Sequence, residues 1–161
     1  MRIGQGFDAH RFASEDAPRE LWLAGLRWDG EGNGIEGNSD GDVAAHALID
    51  ALLAAAGLGD IGALFGVGSD AHGAGMHGAD MLRETVAHLR EHGFTPVSAS
   101  VAIVGNRPKI GRRRDEAAAA LSAAAGCPVS VTATTTDHMG FTGRGEGLAA
   151  IASALVGESV D

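Results

Sequence analysis

The sequence predicts an α/β (α+β) fold, a single mixed β-sheet covered by helices. Segments of β-type composition alternate with segments of helical periodicity, without strict β-α repetition, so one mixed sheet under helices is the economical arrangement. The chain has 161 residues, 45% of them hydrophobic. At about 150 residues per domain that is one domain, spanning 1–161, with a real core. There are 25 glycines, 4% aromatics and no tyrosine, so the core must use aliphatic side chains and alanine.

The elements follow in order. Met1 to Phe7 is short, glycine-rich and without helical pattern, which predicts a strand. A polar loop containing Pro18 leads to a second strand over Leu21 to Trp28. Gly, Asn and acids dominate Asp29 to Asn38, which is loop chemistry. Ser39-Asp40-Gly41-Asp42 resembles a helix start, with Ser39 capping and a carboxylate three residues on. The helix is expected over Asp42 to Ala56, stopped by Gly57. A turn at Leu58 to Gly62 precedes a loop over Phe65 to Gly78. Met81, Leu82, Val86 and Leu89 give helical spacing over Ala79 to His92, closed by Gly93. Val97 to Val104 is a strand by its β-branched content. After a loop at 106–109, Arg112 to Ala125 reads as an alanine-rich helix. Pro128 to Thr136 is expected as the last strand, Asp137 to Gly147 as a glycine-rich loop, and Leu148 to Val156 as a closing helix.

Composition excludes several classes of function. Twelve basic residues against 21 acidic ones give a net charge of -9, which repels a nucleic-acid backbone. One cysteine, Cys127, rules out an internal disulfide framework and a cysteine-rich zinc module. No apolar run reaches the ~18 residues of a membrane span, and the first residues lack a signal-peptide pattern. The expectation is a cytoplasmic protein without nucleic-acid or membrane partners.

Three constellations could carry chemistry. In Asp8-Ala9-His10 the two polar residues are two apart, so on a strand they face one side. Asp42, His46 and Asp50 recur at steps of four, a polar line up an otherwise apolar helix. Asp8, His10 and His46 together would offer a carboxylate and two imidazoles, and three ligands with an open fourth position is the pattern of catalytic zinc. Asp42 or Asp50 would then orient the His46 ring. The alternative is a chance Asp-x-His and a structural helix histidine. His72, His77, His88 and His92 receive no role, and His138 stays open. The third constellation is Thr134-Thr135-Thr136-Asp137 with the glycine-rich run 140–147. Its hydroxyls and amides suit phosphate oxygens, Asp137 suits magnesium, and Arg144 offers a planar fork. The alternative is a tight turn. Gly4-Gln5-Gly6-Phe7-Asp8-Ala9 is not a dinucleotide fingerprint, because no helix follows it. The run 140–147 lacks the Lys-Ser or Lys-Thr of a P-loop.

In sequence order, Gly6-Phe7-Asp8-Ala9-His10, Ser39 to Ala47, Leu58 to Gly62, Pro108-Lys109 and Ala133 through Gly147 form a set. This set closely resembles the 2-C-methyl-D-erythritol 2,4-cyclodiphosphate synthase family of the non-mevalonate isoprenoid pathway, from Ile3 to about Leu155. The resemblance implies a phosphorus-oxygen lyase and a homotrimer with active sites between subunits. It also implies conversion of 4-diphosphocytidyl-2-C-methyl-D-erythritol 2-phosphate to the cyclic diphosphate with release of CMP. By that similarity zinc is held by Asp8, His10 and His46. Magnesium or manganese lies between the substrate diphosphate and Asp137. Thr135 supports the transition state, as does position 38, where this chain has Asn38 in place of the usual histidine. Asp8, Ala9, His10, Asn38 and Ser39 match substrate contacts. Asp60, Ile61 and Gly62 match contacts to substrate hydroxyls, and Phe65 alone carries over from the loop that follows. Gly105, Pro108, Lys109, Ile110 and Gly111 match the cytosine pocket. Thr134, Thr135, Thr136 and Asp137 match phosphate contacts. Phe141 and Arg144 match contacts near a trimer cavity, where an isoprenoid diphosphate is a further implied ligand. Asp137 stands where many members have glutamate. Gly66, Val67 and Gly68 depart from the usual Pro- and Asp-containing stretch. A zinc phosphohydrolase and a non-catalytic nucleotide-binding module are the rival readings.

Overall fold

Ten residues, Arg2–Arg11, form β1, so the first strand runs past Phe7 and carries Asp8 and His10 within it. The computed structural model of the chain describes residues 1–158. β2 (Trp22–Leu23) and β3 (Leu26–Arg27) form a small hairpin where a single strand was expected. The break falls at Ala24-Gly25, both with positive φ, a tight turn that a two-residue hairpin needs. α1 (Val43–Ala56) ends at left-handed Gly57. Its cap is Asp42, whose side chain accepts from the amides of Ala44 and Ala45, so Ser39 is not the capping residue. The expected turn before Phe65 contains a short helix, α2 (Ile61–Phe65), capped by Asp60. α3 (Gly78–Glu91) and β4 (Phe94–Val104) follow, β4 with a bulge between Pro96 and Ser98. A 3₁₀ turn at Ile110–Arg112 leads into α4 (Arg114–Ala125). β5 (Val129–Thr134), the short α5 (Gly140–Gly143) and β6 (Gly147–Glu158) complete the described chain.

The segment expected as a closing helix is therefore a strand. β6 lies second in a four-stranded sheet of order β1-β6-β4-β5, antiparallel to both neighbours, while β4 and β5 run parallel. The sheet is mixed, as predicted. Alanine favours helix intrinsically, but tertiary burial overrides so weak a preference. Leu148, Ala150, Ala152, Ala154 and Val156 are buried against the helical layer. Alternate residues, such as Ile151, face outward. Alanine occurs on both faces, which erases the period-two signal a strand ordinarily shows.

Helix α1 explains the small residues. It packs across β1, β6 and β4, with α3 beside it and α4 on the far side of α3, against β5. A Cβ on Gly6 would lie 2.0 Å from the Ala47 carbonyl oxygen, and one on Gly4 would lie 2.1 Å from that of Ala51. Glycine and alanine at this contact let helix and sheet approach closely. Leu48, Leu52, Leu53, Leu82, Leu89 and Leu121 fill the core around them, each contributing about 1.5–3 kcal/mol by burial. The helices lie on one side of the sheet. On the other side Ile3, Phe7 and Ile151 remain exposed at 77%, 58% and 43%.

Sheet direction fixes where chemistry can occur. β1, β4 and β5 point the same way, so their C-terminal ends share one edge with the start of β6. Asp8, Ala150, Ile103 and Ala133 lie in one row across the four strands.

A candidate metal centre and a second cleft

Asp8 and His10 project from the same face of β1, the face on which Gly4 and Gly6 meet α1. His46 projects from the first turns of α1 and is nine-tenths buried or more. The close glycine contact thus sets the distance between strand donors and helix donor. Asp8 Oδ2 lies 3.1 Å from His10 Nε2 and 3.0 Å from His46 Nδ1. The ligand atoms of the three residues all fall within 4.8 Å of one another. Donor bonds of 2.0–2.1 Å to tetrahedral zinc imply donor separations of about 3.3 Å, so the two measured spacings suit one small cation. One carboxylate and two imidazoles are also the right donor chemistry for a divalent transition metal.

The surroundings prepare these donors. Ser39 Oγ lies 3.0 Å from His46 Nε2, the nitrogen turned away from Asp8. With Nε2 donating to the serine oxygen and a cation in place of the Nδ1 proton, the Nδ1 lone pair would face the point between Asp8 and His10. Partial burial works to raise the Asp8 carboxyl, but hydrogen bonds and positive charge from His10 and His46 outweigh it and hold the group at about 2. Burial works to lower His46, but Asp8, with Asp42 and Asp40 behind it, raises it above the ordinary histidine value. Asp8 is therefore an anion over the working pH range and His46 binds a cation or a proton readily.

Neither expected orienting carboxylate touches His46. Asp42 is buried and accepts from the amides of Ala24 and Gly25 at 2.8 Å each, tying the β2–β3 hairpin to α1. Burial, then the nearby Asp40, raises its pKa against those amides. Asp50 accepts from the Ile61 amide at 2.8 Å and so fixes α2 against α1. Helical spacing points to Asp42 or Asp50 as the partner of His46; the side chain that meets its Nε2 is instead Ser39, expected to cap the helix.

The triad opens into a cleft of about 250 Å3 walled by Asn38, Ser39, Ile61, Gly62 and Phe65. Asp60 caps α2 beside it. Phe65 is buried and stacks on His72, with ring centroids 6.0 Å apart. His72 also pairs with Glu84 at 2.7 Å, which ties the loop to α3. Val67, Ala71 and Met81 line the cleft as well; only their tertiary position reveals them.

A second cleft, about 410 Å3, lies at the ends of β4 and β5. It collects Gly105, Asn106, Pro108, Lys109, Ile110, Gly111, Thr134 and Thr135, together with Arg112 and Arg114, which the resemblance does not point to. Thr136 Oγ1 bonds Thr142 Oγ1 at 3.0 Å and donates to the Met139 carbonyl, holding the turn before α5. Asp137 follows with positive φ and an exposed side chain. Phe141 shares a smaller hollow with Ala9 and His10, and Arg144 pairs with Glu146. The site residues thus fall into two groups in one chain. Three strand spacings of about 4.8 Å separate the Asp8 column from the Ala133 column, roughly 14 Å in all.

Comparisons with known proteins agree with this geometry. The YgbB family pattern matches residues 1–157. A 2-C-methyl-D-erythritol 2,4-cyclodiphosphate synthase of Bifidobacterium longum (strain NCC 2705) is 74% identical over 164 residues, covering 96% of this chain and 94% of its own. A bifunctional enzyme IspD/IspF of Clavibacter michiganensis is 52% identical over 97% of this chain and 37% of its own. Among solved structures, the bifunctional IspDF of Campylobacter jejuni superposes with a TM-score of 0.87 at 33% identity, covering 99% of this chain and 42% of its own. A CDP-bound 2C-methyl-D-erythritol-2,4-cyclodiphosphate synthase gives 0.82 at 34% identity, covering 97% and 100%. A match of this extent, spanning β1 through β6 and so the stretch that holds every donor and both clefts, leaves one assignment: the chain belongs to the YgbB family.

Proposed function

We propose that this chain is a 2-C-methyl-D-erythritol 2,4-cyclodiphosphate synthase, a phosphorus-oxygen lyase that converts 4-diphosphocytidyl-2-C-methyl-D-erythritol 2-phosphate to the cyclic diphosphate and CMP. The observation that carries the proposal is the convergence of Asp8, His10 and His46 at one point in a cleft, in a chain 74% identical to a synthase of that name.

The chemistry is a phosphoryl transfer within one molecule. An oxygen of the 2-phosphate forms a bond to the β-phosphorus. The bond from that phosphorus to the bridging oxygen breaks, and its electron pair leaves on CMP. No general base is needed, because the attacking oxygen is already ionised. The work is to fold the substrate into line, and positioning of that kind can remove about 7–11 kcal/mol of barrier. Asp8, His10 and His46 would hold zinc, and Asp137 would hold magnesium or manganese with the diphosphate. Such ions supply positive charge against the repulsion between the phosphates, which lets an acidic protein take an acidic substrate.

The remaining residues bind and orient. Asp60, Ile61 and Gly62 face the methylerythritol hydroxyls, and Phe65 walls off water from the same cleft. Asn38 and Ser39 border the metal donors, where Asn38 can donate a hydrogen bond but carries no charge. Gly105, Pro108, Lys109, Ile110 and Gly111 take the cytosine, and Thr134, Thr135 and Thr136 offer hydroxyls toward the phosphates, Thr135 at the transferring group. Ala9 contributes backbone beside the metal donors.

The assembly we propose is a homotrimer. Two features support it: the two clefts of one chain are separated across the sheet, and apolar Ile3, Phe7 and Ile151 are exposed on the face without helices. A second copy would bring the metal cleft of one subunit to the nucleotide cleft of its neighbour. Phe141 and Arg144 would then border a central cavity able to take an isoprenoid diphosphate.

The test is incubation of the zinc-loaded protein and magnesium with the cytidine diphosphate substrate. Cyclic diphosphate plus CMP is the expected result. A linear product with oxygen from water would make the protein a hydrolase, and nucleotide binding without turnover would make it a binding module.

A further inference from the structure

The cleft at the ends of β4 and β5 carries three cationic side chains, Lys109, Arg112 and Arg114, and no carboxylate among the residues that line it. In a chain with 12 basic and 21 acidic residues, that is a local reversal of sign. The three consecutive arginines divide by role. Arg113 is used internally: it donates to Glu116 and to the Arg27 carbonyl, and its guanidinium lies 4.9 Å over the Trp28 ring. Arg112 and Arg114, on either side of it, both line the cleft, and both also border a neighbouring surface hollow that holds Asp115 and Glu116. Arg112 lies 3.6 Å from Glu31, beyond hydrogen-bond length, and its side chain is 75% exposed. Arg114 makes no ion pair or hydrogen bond among the described residues. Arg114 opens α4 and Arg112 lies two residues before it, at the end where the helix field disfavours cations. Helix stability therefore does not explain them, and neither does a side-chain hydrogen bond among the described residues, the loose Arg112–Glu31 pair being the one internal contact of charge.

We propose that Arg112 and Arg114 form a phosphate subsite on the rim of this cleft, gripping the phosphate of a cytidine nucleotide whose base sits inside. The inference rests on the nucleotide role given to the cleft above, and adds what distinguishes nucleotide from nucleoside there. A guanidinium presents a planar fork of donors that matches phosphate oxygens. Thr134 and Thr135 line the same cleft and add hydroxyl donors for the same anion. Their contribution is to binding throughout the reaction, so it appears in KM and leaves kcat unchanged.

The experiment is calorimetric titration of the zinc-loaded protein with CMP and with cytidine, for the wild type and the double variant Arg112→Gln, Arg114→Gln. The wild type is expected to bind CMP about tenfold or more tightly than cytidine, the scale of a charge-assisted hydrogen bond or two. The double variant should lose most of that preference, bind cytidine within about twofold of wild type, and show a raised KM at constant kcat. If both ligands bind the wild type but the variant keeps its full preference for CMP, or weakens equally toward both, the phosphate subsite is overturned while the nucleotide cleft stands. If neither ligand binds the wild type, the nucleotide role of the cleft fails and the subsite with it.

Discussion

Gly6→Ala should separate the two halves of the metal centre without touching any of its donors. The Cβ it adds would lie 2.0 Å from the Ala47 carbonyl oxygen and 2.7 Å from the Ala51 amide nitrogen. Ordinary contact begins near 3.4 Å, so α1 must retreat from β1 by about 1.4 Å. Ala47 adjoins His46, whose Nδ1 is 3.0 Å from Asp8 Oδ2. A displacement of that size is several times the ~0.2 Å within which metal-donor distances are held. Overpacking of this kind costs about 1–3 kcal/mol, and at about 2–4 °C per kcal/mol that lowers Tm by roughly 2–12 °C. Zinc affinity should fall by at least about tenfold, the loss seen when ligand positioning is disturbed. Gly157→Ala is the control, because its Cβ would meet only Val97 Cγ2 at 3.6 Å. Thermal unfolding and zinc titration of both variants provide the assay. A Gly6→Ala protein with wild-type Tm and wild-type zinc affinity would refute the view that the glycine contact sets donor spacing.

Three further outcomes follow from the same structure. Ser39→Ala removes the partner of His46 Nε2, so zinc affinity should drop about 10–100-fold with the fold intact; an unchanged affinity would show that the serine does not orient the ring. Asp42→Asn sets an amide NH2 against backbone amides that now donate to a carboxylate. It should destabilise the protein by about 1–3 kcal/mol in thermal unfolding, and a wild-type Tm would count against this four-way cap. Because Asp8 raises His46 above the ordinary histidine value in the metal-free protein, protons should compete with zinc from above pH 6.5 downward. Apparent zinc affinity should therefore fall between pH 8 and pH 6 by more than the roughly fourfold that proton competition at an ordinary histidine would give, and a flat profile would contradict the raised value.

Much of the metal site was legible because strand and helix periodicities are local. Two-residue spacing placed Asp8 and His10 on one side of a strand whatever its length. The helix over 42–56 was marked by Gly57 and by its aliphatic residues. What could not be read was which polar neighbour serves His46. Asp42 and Asp50 share its helix face by spacing, yet Asp42 turns back to the hairpin and Asp50 to α2, while Ser39 arrives from a loop. The closing strand was illegible for a different reason. Its alanines fit under α1, and the demand for small side chains comes from the packed helix and not from the strand's own conformation. The two-residue hairpin hid because Ala24, a residue that ordinarily avoids positive φ, occupies its turn under two hydrogen bonds to Asp42. Arg112 and Arg114 carried a visible signal, adjacent cations in an acidic chain, but a helix start is a common place for charge and only the cleft distinguishes them from Arg113.

Diffraction at the zinc absorption edge from crystals grown with zinc and CDP would test the triad directly. The expected result is one anomalous peak about 2.0–2.1 Å from Asp8 Oδ2, His10 Nε2 and His46 Nδ1, with the fourth position held by a non-protein oxygen. A peak elsewhere, or one closed by a fourth protein side chain, would contradict a cation shared by these three residues and open to a phosphate.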